Sequence, residues 1–277
     1  MGIKLIAFDL DGTFLDDKKN CIKENMEAIS AAAERGVHIV PSTGRMFNGI
    51  PKPIRDLPFV RYGITINGAA VYDSREDRMI YRAEIPLADA EKIYDYADTL
   101  PVIYDCYLDN KGYMDRVFYE NAADMVTDEV VLKMVRQLRS PVDNFRQFLR
   151  EQNRSLQKIQ MMFKDLDRKA VELERIPVLF PGYAATTSLY NNIEINVNAA
   201  NKGAGLRALC AHLGIELSEA MALGDGGNDI TMLETAGIGV AMGNAGEKVK
   251  KAADVVVGTN EEAGVAQAIR RYVFDAD

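Results

Sequence analysis

The stretch Ile3-Lys4-Leu5-Ile6-Ala7-Phe8-Asp9-Leu10-Asp11-Gly12-Thr13 decides how this chain is read. Residues 3–8 form a near-continuous apolar run, which suits a strand buried on both faces of a parallel sheet. The run ends in an Asp-x-Asp-Gly sequence. On an extended chain, residues i and i+2 point the same way, about 7 Å apart. Asp9 and Asp11 therefore converge where the strand leaves the sheet, and ligands of open α/β sheets bind at the carboxyl ends of strands. An Asp-Gly pair alone is also an ordinary turn, and an Asp can simply cap the next helix. The weight comes from what surrounds it.

Downstream, Ile22, Met26, Ile29 and Ala33 keep one face of a helix that Gly36 closes. A strand over 37–40 runs into Ser42-Thr43-Gly44-Arg45, and a third over 62–66 ends at Asn67-Gly68. The C-terminal part repeats this rhythm. It predicts a strand over 193–197, a helix over 202–213 stopped by Gly214, and a strand over 220–223 leading into Gly224-Asp225-Gly226-Gly227-Asn228-Asp229. Strands over 238–242 and 255–257 and a last helix through Ile269 follow. Alternating strands and helices predict an α/β fold with a doubly wound, mostly parallel sheet. The middle reads differently: a hairpin-like 71–82, then strands and helices of an α+β unit over 84–190. Segments 1–83 and 191–277 are thus expected to form one core that the inserted unit interrupts. A length of 277 residues suits two domains, at roughly 150 residues each.

Composition narrows the classes. Hydrophobic residues are 48% and charged residues 27%, ordinary for a globular protein. The net charge of −8 argues against nucleic acid or an anionic membrane surface as a general partner. Cys21, Cys106 and Cys210 are far apart, with no disulfide or zinc spacing, and His38 and His212 are too few for a histidine-based site. The N-terminus lacks a signal-peptide pattern, and no apolar stretch approaches the roughly 18 residues of a membrane helix. These features point to the cytoplasm; the oligomeric state is not readable.

The residues that carry chemistry each follow a predicted strand. Thr43 offers a hydroxyl beside Gly44. Lys202 opens a helix, where a cation opposes the helix dipole and a nearby anion would offset that. The 224–229 segment packs three oxygen-bearing side chains among glycines that allow tight turns. Oxygen donors of this kind suit Mg²⁺, which takes one or two carboxylates plus substrate phosphate. The sequence has no Gly-x-x-x-x-Gly-Lys-Ser/Thr loop for ATP. Carboxylates, a hydroxyl, a lysine and Mg²⁺ suit phosphoryl transfer, where catalysis is mainly positioning and charge neutralisation.

These segments, with Lys202-Gly203, resemble the haloacid dehalogenase (HAD) superfamily, and most closely its Cof-like phosphatases; Asn67-Gly68-Ala69 and Gly243-Asn244-Ala245 are also typical of that subfamily. The resemblance covers nearly the whole core, and the inserted unit falls where these proteins carry a cap domain that sets specificity. It implies that Asp9 is a nucleophile forming an aspartyl-phosphate, and that Asp11 is the general acid and then the base, with a pKa poised by its surroundings. It implies that Thr43 and Lys202 bind the transferring phosphoryl group. Mg²⁺ would be held by the Asp9 carboxylate, the Asp11 backbone carbonyl and Asp225, with Asn228 and Asp229 supporting that site and Asp229 orienting Lys202. Gly44, Arg45, Asn67 and Asn228 are candidates for phosphate or substrate contacts. The implied substrate is a small phosphorylated metabolite, with sugar phosphates ahead of pyridoxal phosphate, flavin mononucleotide and nucleotides.

Rival readings are weaker. Gly203-Ala204-Gly205-Leu206-Arg207-Ala208 matches a dinucleotide fingerprint, but its first glycine does not sit at a strand end. A phospho-receiver module also uses an acceptor Asp with Thr and Lys, but on a shorter chain with its acid pair placed earlier. A phosphomutase or phosphotransferase would carry the same core residues.

Overall fold

The computed structural model describes residues 2–274. Contacts divide the chain into two units: one runs up to Arg82 and resumes at Ala200, and the other spans Ala83–Ala199. Strands β1 (Leu5–Phe8), β2 (His38–Pro41), β3 (Tyr62–Thr65), β4 (Ala70–Asp73) and β5 (Arg78–Arg82) come first. The second unit holds β6 (Val102–Leu108), β7 (Lys111–Asp115), β8 (Arg139–Val142), β9 (Lys158–Phe163), β10 (Tyr183–Thr186) and β11 (Asn192–Val197). The chain then returns to the first unit with β12 (Ala220–Gly224), β13 (Ile238–Ala241) and β14 (Val255–Val256).

The first unit is built on a parallel sheet of order β14-β13-β12-β1-β2. Its inner strands are apolar on both faces, as expected for a sheet covered twice. Ile6, Phe8, Ile39, Met221, Leu223 and Val240 form one core with Ala28, Ile29 and Ala32 of the helix Lys23–Glu34 and with Val265, Ala266, Ala268 and Ile269. Leu5, Ala7, Val40, Ala220, Ala222 and Ala241 face the other way, against Leu206 and Leu209 of the helix Lys202–Leu213 and Met232 and Leu233. A period of two thus sorts each strand between two cores. Pro41 is tolerated because β2 is an edge strand.

Two sequence expectations change here. The 62–66 strand does not join this sheet. It pairs with β4 and β5 in an antiparallel sheet of its own, and meets the chain after β2 through a Ser42–Ile64 bridge and an Ile66 N–H bond to the Arg45 carbonyl. The 193–197 strand, assigned to the core, is β11 of the second unit, where it lies between β9 and β10. Its Ile193 and Ile195 alternate with Asn192, Glu194 and Asn196, the pattern of a strand with two unlike faces. The return to the first unit therefore comes at Ala200 rather than at 191.

The second unit is a sheet of order β10-β11-β9-β6-β7-β8, antiparallel except for the β7–β8 pair. One face carries Val102, Tyr104, Cys106, Ile159, Met161, Phe163, Ile193 and Ile195 under helices Leu87–Ala97, Phe145–Gln152 and Leu166–Leu179. Alternate positions carry buried ion pairs: Arg139 to Asp105 at 2.8 Å and Lys158 to Glu194 at 2.7 Å. No helix among the described residues is long and apolar enough to cross a membrane.

Gly68 shows how tightly the loops of the first unit meet. It has φ +86°, and a Cβ there would lie 2.1 Å from the carbonyl oxygen of Asn201, the residue capping the helix Lys202–Leu213. Left-handed backbone at a non-glycine residue costs about 1–3 kcal/mol, and the overlap adds to it. Gly68→Ala is therefore expected to lower the unfolding free energy by at least about 1–3 kcal/mol in urea titration; an unchanged midpoint would show that the two loops do not meet as described.

Candidate active site

Three adjacent parallel strands, β12, β1 and β2, end at one edge of the sheet, and each delivers a chemistry-bearing loop. Asp9 follows β1 directly and is tied to the neighbouring strand by its N–H, which donates to the Leu223 carbonyl at 3.0 Å. The chain then curls: Phe14 and Leu15 both donate N–H groups to the Leu10 carbonyl. Gly12 takes φ +84° in this curl, and a Cβ there would sit 2.4 Å from Asp225 Oδ2. Only a residue without a side chain lets the two loops approach so closely. Thr13 then donates its hydroxyl to Asp225 Oδ1 at 2.7 Å.

Lys202 reaches this edge by another route. It is the first residue of the helix Lys202–Leu213, whose N-terminus Asn201 caps by accepting the Ala204 N–H at 2.8 Å. Its side chain is fully buried, and Nζ donates to Asp9 Oδ1 at 2.6 Å and Asp229 Oδ1 at 2.5 Å. The other Asp229 oxygen accepts the N–H groups of Asp225 and Gly226, so the 224–229 loop folds around its own last carboxylate. Asp9, Asp225 and Asp229 each offer an oxygen within 4.8 Å of the others.

The remaining expected residues lie around this group. Thr43 is buried; its N–H donates to the Ile64 carbonyl, and its Oγ1 accepts the Arg45 N–H at 3.2 Å. Asn67 has φ +56°, and its side-chain Oδ1 accepts from Asn228 Nδ2 at 3.3 Å. A Cβ on Gly44 would lie 2.8 Å from that same Asn67 oxygen, so Gly44 is small where Asn67 needs the room. Asn228 is thus engaged with Asn67, and both Asp229 oxygens are engaged with Lys202 and backbone N–H groups.

Asp11 is arranged differently from the sequence expectation. Arg45 grips its carboxylate with Nε at 3.1 Å and Nη2 at 2.8 Å, and Lys19 pairs with it at 2.9 Å. Burial alone would raise the Asp11 pKa, but the two cations more than offset this and hold it below the ordinary carboxylate range. An acid poised to donate a proton is therefore not what this arrangement stabilises. Asp9 shows the opposite balance. Burial is the largest effect and, with Asp229 and Asp225 nearby, outweighs Lys202 and pushes its pKa up to about 7. Burial also raises Asp225. Burial opposes the charge on Lys202, but Asp229 and Asp9 hold its pKa above the ordinary lysine value, so it stays an ammonium.

Two participants escaped the sequence reading. Thr13 lies in the opening stretch, and its hydroxyl beside two acids was the available signal. Lys19 reaches Asp11 only because the intervening loop folds back, with Leu15 bridging both Asp11 and Cys21. Local sequence carries no sign of that contact.

Comparison with known proteins identifies the family of this chain. The family model for haloacid dehalogenase-like hydrolases matches residues 6–269. The chain is 34% identical to the 5-amino-6-(5-phospho-D-ribitylamino)uracil phosphatase YcsE of Bacillus subtilis, over 98% of this chain and 96% of that protein. It is 28% identical to the pyridoxal phosphate phosphatase YbhA of Escherichia coli, over 99% of this chain and all of that protein. Among solved structures, the HAD subclass IIB sugar phosphatase BT4131 superposes with a TM-score of 0.77 at 25% identity, covering 97% of this chain and 98% of that one. The chain belongs to the haloacid dehalogenase-like hydrolases and is a phosphoric monoester hydrolase of that family.

Proposed function

We propose that this protein is a Mg²⁺-dependent phosphatase of small phosphorylated metabolites, with sugar phosphates favoured, acting through an aspartyl-phosphate on Asp9. The observation that carries this reading is the fully buried Lys202 ammonium shared by Asp9 and Asp229, with Asp225 beside them. Three carboxylates around one lysine leave an excess of negative charge in a desolvated place. An all-oxygen donor set with that excess fits a divalent cation of the Mg²⁺ type. Asp9 and Asp225, with the Asp11 backbone carbonyl, would hold the ion, and Asp229 would steady Lys202. When bound, Mg²⁺ neutralises charge on the phosphoryl oxygens.

In this reading, Asp9 attacks phosphorus and the ester oxygen leaves. Lys202 and Thr43 contact the phosphoryl oxygens. Asp11 delivers a proton to the leaving oxygen, then takes one from the water that hydrolyses the Asp9 phosphate. A substrate phosphate offers Arg45 a competing anion, and its move away from Asp11 would remove one of the two cations that keep Asp11 ionised. Sugar phosphates are favoured because one relative's name specifies a phosphoribityl compound and another is a sugar phosphatase. Three free cysteines suit a cytoplasmic setting.

Asp9→Asn is expected to lower p-nitrophenyl phosphate hydrolysis by roughly three orders of magnitude or more, with an unchanged circular dichroism spectrum. Substantial activity in that variant would rule out Asp9 as nucleophile. Chelation of divalent ions should abolish activity and added Mg²⁺ restore it; turnover that survives chelation would refute the metal requirement.

Asp9 also links stability to pH. Its folded pKa of about 7 lies above the ordinary 3.8, so between these values the folded state binds the proton more tightly. The resulting stability is present below the lower value and is lost as pH rises through the upper one. Without divalent ions, Asp9→Asn should therefore melt above wild type at pH 8, with the gap closing toward pH 4. A gap that does not depend on pH would contradict the assignment.

A further inference from the structure

The Gly243-Asn244-Ala245 segment has no part in the proposed chemistry, yet it reaches the nucleophile loop. Asn244 lies just past β13, and its Nδ2 donates to the Gly12 carbonyl at 2.8 Å. Its side-chain oxygen accepts the backbone N–H of Asn260 at 3.0 Å, so the amide is oriented from both ends. Asn260 is itself buried, and its Nδ2 donates to the Leu15 carbonyl at 3.2 Å and to Asp17 Oδ1 at 3.0 Å. A third amide completes the pattern. The buried Asn25 donates to the Phe14 carbonyl at 3.2 Å and accepts the Ala266 N–H at 3.0 Å. Three asparagine amides thus hold the carbonyls of Gly12, Phe14 and Leu15.

The Gly12 contact matters most for chemistry. The Gly12 carbonyl and the Thr13 N–H belong to one rigid peptide plane. Fixing that carbonyl fixes the plane, which lies between Asp11 and the Thr13 hydroxyl that holds Asp225. Glycine at φ +84° gives this peptide more rotational freedom than any other residue would allow. The loop therefore needs an outside donor to select one orientation. We infer that Asn244 is a positioning residue for the phosphoryl-transfer site: through an amide oriented by Asn260, it holds the Gly12–Thr13 peptide and so sets where Asp11 and Thr13 lie. This inference rests on the phosphatase reading above.

The test uses the full chain with Asn244→Asp, which keeps the acceptor for Asn260 and loses the donor to Gly12, and with Asn244→Ala. Misplacement of reacting groups by a fraction of an ångström to one ångström costs up to about a hundredfold in rate. Both variants are expected to lower kcat for p-nitrophenyl phosphate about tenfold or more, with KM within about threefold of wild type. Amide hydrogen exchange of the peptide covering 10–16 should speed up, while peptides from β13 stay protected. A kcat within twofold of wild type would overturn the inference. So would a rise in KM that accounts for the whole loss, which would make Asn244 a substrate contact instead. Unchanged exchange over 10–16 would overturn the clasp even in a chain with no phosphatase activity, and so separates failure of this inference from failure of the functional reading.

Discussion

The structure of this site depends on one buried charge. Lys202 has no access to water, and an isolated ammonium there would be strongly unfavourable. Asp9 and Asp229 compensate it at 2.6 and 2.5 Å, and each is fixed in turn: Asp9 by the end of β1, Asp229 by the backbone N–H groups of its own loop. Lys202 holds both carboxylates at once, and Asp229 remains as its counter-charge when Asp9 is neutral. The rest of the first unit reads as the means of delivering them: adjacent parallel strands for Asp9 and the 224–229 loop, and a capped helix for Lys202.

Much of this is legible in sequence, and the reason is physical. Strands buried on both faces must be apolar throughout, so Leu5–Phe8 and 220–223 announce themselves, and the polar residues that end such runs stand out. What is not legible is decided by distant pairing. Residues 193–197 look like one more strand before one more motif residue, but their alternation of Ile with Asn and Glu belongs to a half-polar sheet in the second unit. Lys202 does open a helix, as its surroundings indicate, while the strand before it lies in the second unit. The clamp of Arg45 and Lys19 on Asp11 depends on the path of a loop, which no local pattern specifies.

The chain's charge of −8 does not oppose a phosphorylated substrate. Fields from exposed charges fade over about 8–10 Å at physiological salt, whereas buried groups are screened far less. The site itself combines a lysine, an arginine, backbone N–H groups and an oxygen cluster suited to a divalent cation. The same reasoning separates the two aspartates of the opening stretch. They lie two residues apart, yet burial governs Asp9 and two cations govern Asp11, so one stretch of chain presents two carboxylates of unlike protonation behaviour.

The most direct test of the account is to quench the enzyme in acid during turnover of a ³²P-labelled sugar phosphate and map the bound label by peptide mass analysis. The account predicts an acyl-phosphate, labile to hydroxylamine, on the peptide that contains Asp9. A phosphoryl group on any other residue would contradict it.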